Sequence, residues 1–269
     1  MTERPTIRIK SYNTLFAGLD GTDDRRRRLQ VGIVCEAAPD VLLYQEGKGL
    51  LESGSAPLFE LERAFGMRAL LAEAPDTGQN TAVFIRPGIE PLSFEADAVH
   101  FHHLAAIARL GVPGLEAPLT AVSVHLCPNS GHLRLSEAAY PLAHADPSAL
   151  AVVGGDFNSP AVGDPEPVGL DALPAQFRAR YIGSTGTVDR RAHAALAEAG
   201  FVDVGAKLGD LTRTVPGADY PDAEFVPFRS DYLLASESFA ERVVSYRVID
   251  GPKAGSASDH YPVIAELRR

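Results

Sequence analysis

The 269-residue chain has no tryptophan, only two cysteines (Cys35 and Cys127), and no apolar run near the roughly 20 residues that span a bilayer. Each absence excludes a class of protein. Two distant cysteines support neither a disulfide framework nor a clustered zinc site, which fits a reducing compartment and sets a cytoplasmic location as the expectation. No membrane insertion is expected. The opening MTERPTIRIKSYN passes straight into strand-like alternation, without the basic start, apolar stretch and small-residue cleavage site of an export signal. No fixed period recurs and no low-complexity linker interrupts the pattern, so a single domain over residues 1–269 is expected.

Positive charge is also scarce. Lysine and arginine number 25 against 35 aspartates and glutamates, a formal charge of -10. That field repels a polyanion at long range, so nucleic acid would need a local basic strip or a metal ion, and it is disfavoured as a partner. No aromatic-basic stripe offers a platform for stacked bases. The one dense cationic run, DDRRRRLQ at 23–30, reads as the start of a solvated helix. Asp23 or Asp24 caps it, Leu29, Ile33 and Val34 face inward, and four successive arginines spread around the circumference.

What is present is an ordinary soluble composition, 45% hydrophobic and 22% charged, in which short strands alternate with helices. Strands are predicted at 6–13, 40–45, 81–85, 92–94, 105–110, 119–125, 149–156, 230–235, 243–248 and 263–267. Helices are predicted at 25–38, 58–65, 133–143 and 190–199, the last closed by Gly200. Hairpin-type connections such as VPGLEAP imply antiparallel pairing, so the expected class is α/β with two packed, largely antiparallel mixed sheets covered by helices. The Gly- and Pro-rich stretches 164–186 and 210–227 are expected to be long surface loops that shape access.

Several of these strands end on a polar residue that a core strand does not require. Asn13 closes the first, Glu46 follows VLLYQ, and His125 follows LTAVSV. In VVGGDFNSP, alternation turns Asp156 and Asn158 one way and Phe157 into the core, although an Asx turn accounts for the same letters. Asp231 opens the strand in FRSDYLLAS, and Asp259 with His260 precedes the last strand. Brought to one rim, these carboxylates and amides suit Mg²⁺ or Mn²⁺, while the lack of a cysteine cluster or an HExxH helix argues against zinc. The histidines can orient water or a phosphate oxygen, and an aspartate partner would stabilise a cationic imidazole. His100 and His102 share a strand face, so a metal pair is available there, but a rim or loop position is favoured over it.

The motifs SYNT, Gln45-Glu46, SVHL (123–126), GDFN (155–158), RSDY (229–232) and SDH (258–260) follow the order typical of the endonuclease/exonuclease/phosphatase superfamily, and the chain resembles it from end to end. The resemblance implies a four-layer α-β-β-α sandwich that cleaves phosphoesters with a divalent metal. It implies Glu46 as the principal Mg²⁺ ligand, helped by Asn13 and Asp259. Asp156 would position or deprotonate the attacking water, and Asn158 would donate to a phosphate oxygen. His260 would contact the scissile phosphate or act as the acid/base, oriented by Asp231, with His125 as a second phosphate-facing histidine. Arg229 is a candidate substrate contact or a partner for a carboxylate; Arg134 is expected at the surface, and Tyr232 and Cys127 in the core.

A histidine in SVHL is similar to the deoxyribonuclease, sphingomyelinase and inositol phosphatase branches, and it disfavours abasic-site repair. The expected activity is a Mg²⁺-dependent phosphodiesterase or phosphatase acting on a small or accessible phosphoester, and DNA or RNA cleavage is the close alternative. A zinc hydrolase built from His and Asp remains a further reading. A non-catalytic binding module is disfavoured because the polar positions are retained. Oligomeric state is not legible, and a monomer is the expectation.

Overall fold

The computed structural model describes residues 5–220 and 224–269. Residues 1–4, where the absence of an export signal was read, and 221–223, within the loop expected at 210–227, lie outside the described residues. Alternation in the sequence becomes burial on both faces of two sheets. The described strands are β1 (Thr6–Asn13), β2 (Val41–Gln45), β3 (Arg68–Ala72), β4 (Thr81–Ile85), β5 (Glu90–Asp97), β6 (Ala105–Gly111), β7 (Leu119–His125), β8 (Leu150–Asp156), β9 (Val202–Asp203), β10 (Asp231–Ala235), β11 (Val243–Val248) and β12 (Val263–Arg268). They form two six-stranded mixed sheets, ordered β11-β12-β1-β2-β4-β3 and β5-β6-β7-β8-β10-β9.

Two pairs, β1 with β2 and β7 with β8, are parallel; the other described strand pairs are antiparallel. A parallel pair needs a crossover, and helices α1 (Arg25–Ala37), α2 (Glu52–Phe65) and α3 (Gly131–Ala138) include both of them. α1 links β1 to β2, and α3 links β7 to β8. Further helices are α4 (Ala175–Arg178), α5 (Arg191–Glu198), α6 (Val204–Lys207), α7 (Glu237–Ala240) and α8 (Pro252–Gly255). Among the described residues no helix is long and apolar enough to cross a membrane.

Ile7, Ile9, Leu43 and Val83 of the first sheet pack against Ala106, Ala121, Val152 and Leu233 of the second in one buried cluster. Behind the first sheet, Tyr12, Leu42, Tyr44 and Phe84 meet Val34 of α1 and Leu58, Leu61 and Phe65 of α2. Behind the second, Val122, Val124, Val153 and Leu234 meet Ala138 of α3 and Ala192 and Leu196 of α5. The result is the expected α-β-β-α sandwich. The two glycines of VVGGD sit where a side chain has no room. A Cβ on Gly154 would sit 2.6 Å from Leu43 Cδ1 of the facing sheet, and one on Gly155, at φ 151°, would overlap the Val124 carbonyl of β7.

Some expectations need correction. β3 and the two-residue β9 are strands where none was predicted, because short segments carry too little alternation to read. The helix predicted at 133–143 stops at Ala138 and gives way to a 3-10 turn at Pro141–His144, since Pro141 has no N–H to continue the ladder. Arg26 is not solvated: its side chain pairs with Asp20 and donates to the carbonyls of Thr14 and Leu15, fixing the chain just after β1. Arg134, expected at the surface, is 1% exposed.

Candidate active site

Strand register assembles half of the site. The parallel pairing of β7 and β8 sets His125 beside Asp156, and the antiparallel pairing of β8 and β10 sets Asp231 beside Asp156 from the other flank. In the first sheet β1 and β2 align Asn13 with Gln45, which leaves Glu46 one residue beyond the strand end. The sheets are tied beneath this rim by Gln45 Nε2, which donates to Ser123 Oγ (2.9 Å), and by Asn13 Nδ2, which donates to Glu46 Oε1 (3.1 Å) and to Asp156 Oδ2 (3.1 Å). Glu46, His125, Asp156, Asn158, Asp259 and His260 line a cleft of about 640 Å³. Asn13 and Asp231 lie below it, fully buried.

Asp156 is the hub. Its Oδ1 accepts from Ser230 Oγ (2.6 Å) and from the Asn158 backbone N–H (2.8 Å), and its Oδ2 accepts from Asn13 and from Asn158 Nδ2 (3.2 Å). The backbone bond to Asn158 is an Asx turn, so GDFN is both a turn and a cluster of polar groups. Alternation does not place Asn158, because β8 ends at Asp156 and Asn158 takes a left-handed φ of 49°. Phe157 is buried in the core as expected. Burial opposes ionisation of Asp156, but His260, His125 and these donors outweigh it and hold the carboxyl below its ordinary range.

His260 Nδ1 lies 2.8 Å from Asp231 Oδ2, and its Nε2 lies 3.6 Å from Asp156 Oδ2. Burial works against a cationic imidazole here, yet the carboxylates of Asp231, Asp156 and Asp259 prevail and raise His260 well above the usual histidine range. Burial pushes Asp231 up to about 6. His125 differs: its Nε2 is 3.4 Å from Asp156 Oδ2, its Nδ1 has no partner, and burial lowers it to about 4. The site thus sets a neutral imidazole and a cationic one against one carboxylate.

Glu46 tests whether a cation fits. It takes a left-handed φ of 60°, and its buried Oε2 has no hydrogen-bond partner. Burial, and then the nearby Asp259, pushes its carboxyl up to about 7. A half-buried carboxylate with an orphan oxygen beside a second carboxylate is what a hard divalent ion relieves, and oxygen donors suit Mg²⁺ or Mn²⁺. Asn13 is placed between the carboxylates of Glu46 and Asp156. Its amide nitrogen holds Glu46 and Asp156 while its oxygen accepts from Leu15 N–H (3.2 Å), so it orients the carboxylates. Asp156, Asp231 and His260 also bring one ligand atom each within 4.8 Å of one another; Asp231 Oδ1 has no hydrogen-bond partner there, while Asp156 and His260 Nδ1 are engaged by protein groups.

Of the two readings for Arg229, the structure supports the carboxylate partner: it does not line the cleft. It is 2% exposed, and its guanidinium is shared by Asp164 and Asp203, with Tyr232 stacked on it at 5.0 Å. Tyr232 and Cys127 are buried as expected. His100 pairs with Asp97 in a loop and stacks on Tyr140 (3.8 Å), so no His100–His102 metal pair forms. His103 instead lines the cleft with its ring centroid 4.5 Å from that of His125, and burial lowers it to about 2.

Sequence reasoning also missed Ser230 as a partner of Asp156. It missed Thr214, whose Oγ1 accepts from the N–H groups of Ser230 (2.8 Å) and Asp231 (3.0 Å). RSDY contained the signal for Ser230; Thr214 comes from a loop with none. Two buried charges of α3 place the surrounding loops. Glu137 accepts from His102 N–H (2.7 Å) and Cys127 N–H (2.7 Å), and Arg134 donates to the carbonyls of Cys127 (3.0 Å) and Pro128 (3.2 Å).

The two packed mixed sheets are the fold of solved proteins described as endonuclease/exonuclease/phosphatase family members, in keeping with the resemblance of the sequence motifs. An AP endonuclease from Archaeoglobus fulgidus is similar at 21% identity, with a TM-score of 0.70, over 97% of this chain and 99% of that chain. D. rerio TDP2, solved with a single-strand DNA product, is similar at 20% identity and a TM-score of 0.66, over 99% of this chain and 100% of that one. A mannosyl-6-phosphatase from Bacteroides thetaiotaomicron is similar at 16% identity and a TM-score of 0.67, over 98% and 100%. No family model and no curated protein sequence matches the chain.

Proposed function

We propose that the protein is a divalent-metal-dependent phosphoesterase that hydrolyses a phosphodiester or phosphomonoester by in-line attack of water. The observation that carries this reading is the buried Asp156 set between His125 and a cationic His260, with His260 backed by Asp231 at 2.8 Å. Neighbours in fold described as an AP endonuclease, TDP2 and a mannosyl-6-phosphatase support phosphoester chemistry.

Asp156, kept ionised, accepts a hydrogen bond from the attacking water and takes its proton as the new P–O bond forms, while the opposite P–O bond breaks and the leaving-group oxygen departs into the open cleft, where solvent protonates it. His260 presents Nε2–H to a phosphoryl oxygen, and Asp231 orients the ring through Nδ1–H and stabilises its charge. His125, neutral, faces the phosphate from the other side of Asp156. The Asn158 amide, at present donating to Leu126 O (3.0 Å) and Asp156, is the further donor within the cleft. Glu46 with Asp259 would hold Mg²⁺ or Mn²⁺, which supplies neutralisation of phosphoryl charge when bound. Cleavage of DNA or RNA is the second reading, supported by the DNA product bound to TDP2 and opposed by the net charge of -10.

Turnover of bis(p-nitrophenyl) phosphate is expected to require Mg²⁺ or Mn²⁺ and to fall by about a hundredfold or more in His260→Ala and Asp156→Asn, the scale of a lost acid/base group. A panel of plasmid DNA, RNA, nucleotides, sugar phosphates, inositol phosphates and phospholipid head groups then identifies the leaving group. Folded protein without metal-dependent turnover on any of these overturns the reading.

A further inference from the structure

We infer that Arg180 is a specificity-determining residue that receives a second anionic group of the substrate, apart from the scissile phosphate; this rests on the phosphoesterase reading above. Among the described residues lining the cleft, Arg180 is the one arginine or lysine, while Glu46, Asp156, Asp219, Glu224 and Asp259 are carboxylates. The cationic His260 is held by Asp231 through Nδ1 and, in the reading above, gives Nε2–H to the scissile phosphate, so it does not serve a second anion. A second anion therefore meets repulsion along this wall except at Arg180. A cleft of about 640 Å³ has room for more than the reacting phosphate, since ligand pockets typically span about 300–1,000 Å³.

The position of Arg180 is built. Its guanidinium carbon lies 4.8 Å above the Phe177 ring, and its Nη1 pairs with Glu224. Its backbone carbonyl accepts from Nη2 of the buried Arg134, whose Nη1 also grips Cys127 and Pro128 just after His125. Arg134 thus fixes the Arg180 segment relative to the catalytic strand end. The partner is replaceable: the Glu224 side chain is 49% exposed against 20% for Arg180, and ion pairs that reach solvent contribute little. A phosphate or carboxylate offering two oxygens matches the guanidinium fork better than one carboxylate oxygen does. In this arrangement Glu224 competes with the incoming anion.

The test uses thymidine 3'-(4-nitrophenyl phosphate) bearing a 5'-hydroxyl, a 5'-phosphate or a 5'-carboxylate, with kcat/KM measured for each. The wild-type protein should prefer the 5'-anionic forms by about tenfold, the scale of one charge-assisted hydrogen bond. The phosphate and carboxylate arms show which anion is read. Arg180→Gln should bring the ratio near one, Arg180→Lys should restore part of it, and Glu224→Gln should raise it. A wild-type ratio near one, or a ratio unchanged in Arg180→Gln, overturns the inference. No turnover of these esters, together with none on the panel above, would instead defeat the phosphoesterase reading. In that event calorimetric binding of thymidine 3',5'-bisphosphate against thymidine 3'-monophosphate decides on Arg180: preference lost in Arg180→Gln supports it, and equal affinities in both proteins overturn it.

Discussion

Asp231 never reaches the cleft, yet it governs how His260 titrates. The imidazole is raised well above the ordinary range by Asp231, Asp156 and Asp259 against the opposing effect of burial, so its cationic form persists through neutral pH. The activity that depends on this cation is lost as pH rises through the raised folded value, and the stability it contributes, complete below the unfolded histidine pKa, is lost over the same rise. Asp231→Asn removes the nearest carboxylate. Its alkaline limb in a pH-rate profile should move to lower pH, and kcat at the optimum should fall; an unmoved limb would mean that another group titrates there. Such side chains were legible because an aspartate beside apolar YLLAS requires a buried partner. For Arg229 the sequence left two readings open, substrate contact or carboxylate partner, because Asp164 and Asp203 come from distant segments and only folding brings them to it.

Each sheet places a parallel pair at its centre, and the carboxyl ends of all four of these strands contribute to the cleft or its floor: Asn13 and Glu46 from one, His125 and Asp156 from the other. The strands themselves could be read from alternation, but the rim formed by their ends could not, because it depends on the direction in which one sheet packs on the other. Lys10 on β1 shows another element-level constraint. It is fully buried beneath α1, with Nζ 3.3 Å from Ile33 O and 5.1 Å from the Tyr12 ring centroid. Burial lowers it from 10.5 to about 7. The unfolded chain then binds the extra proton between these values, so stability should rise with pH from about 7 to 10.5, by up to about 1.4 kcal/mol per pH unit. Lys10→Met should raise the denaturation midpoint at pH 7 and flatten this slope. A variant no more stable at pH 7 would show that the ammonium is better solvated than its surroundings suggest.

At the scale of the whole molecule, the charged cleft and the stability of the sandwich are linked. Glu46 is pushed from 4.5 to about 7 by burial and by Asp259, so its protonated form favours folding fully below about 4.5, and that contribution disappears as pH rises through about 7. A divalent ion binding the ionised carboxylate should offset the loss. Millimolar Mg²⁺ is expected to raise Tm more at pH 8 than at pH 5, with the increment reduced in Glu46→Gln. An equal increment in that variant would place the ion elsewhere. The net charge that disfavoured nucleic acid was readable from composition; the crowding of Asp219 and Glu224 onto one wall with a single arginine was not, because those residues lie on loops without periodicity.

The link between Gln45 and Ser123 crosses an interface that is otherwise largely packed by aliphatic side chains, and such surfaces can slide at little cost in contact area. A polar pair bridging them acts as a dowel, penalising translation of one sheet over the other because slippage leaves both groups unsatisfied. Since Glu46 belongs to one sheet and Asp156 to the other, this pin sets the working distance across the seam. The chemistry is therefore exposed to shear: a displacement too small to unfold either sheet would be enough to take the two carboxylates out of alignment.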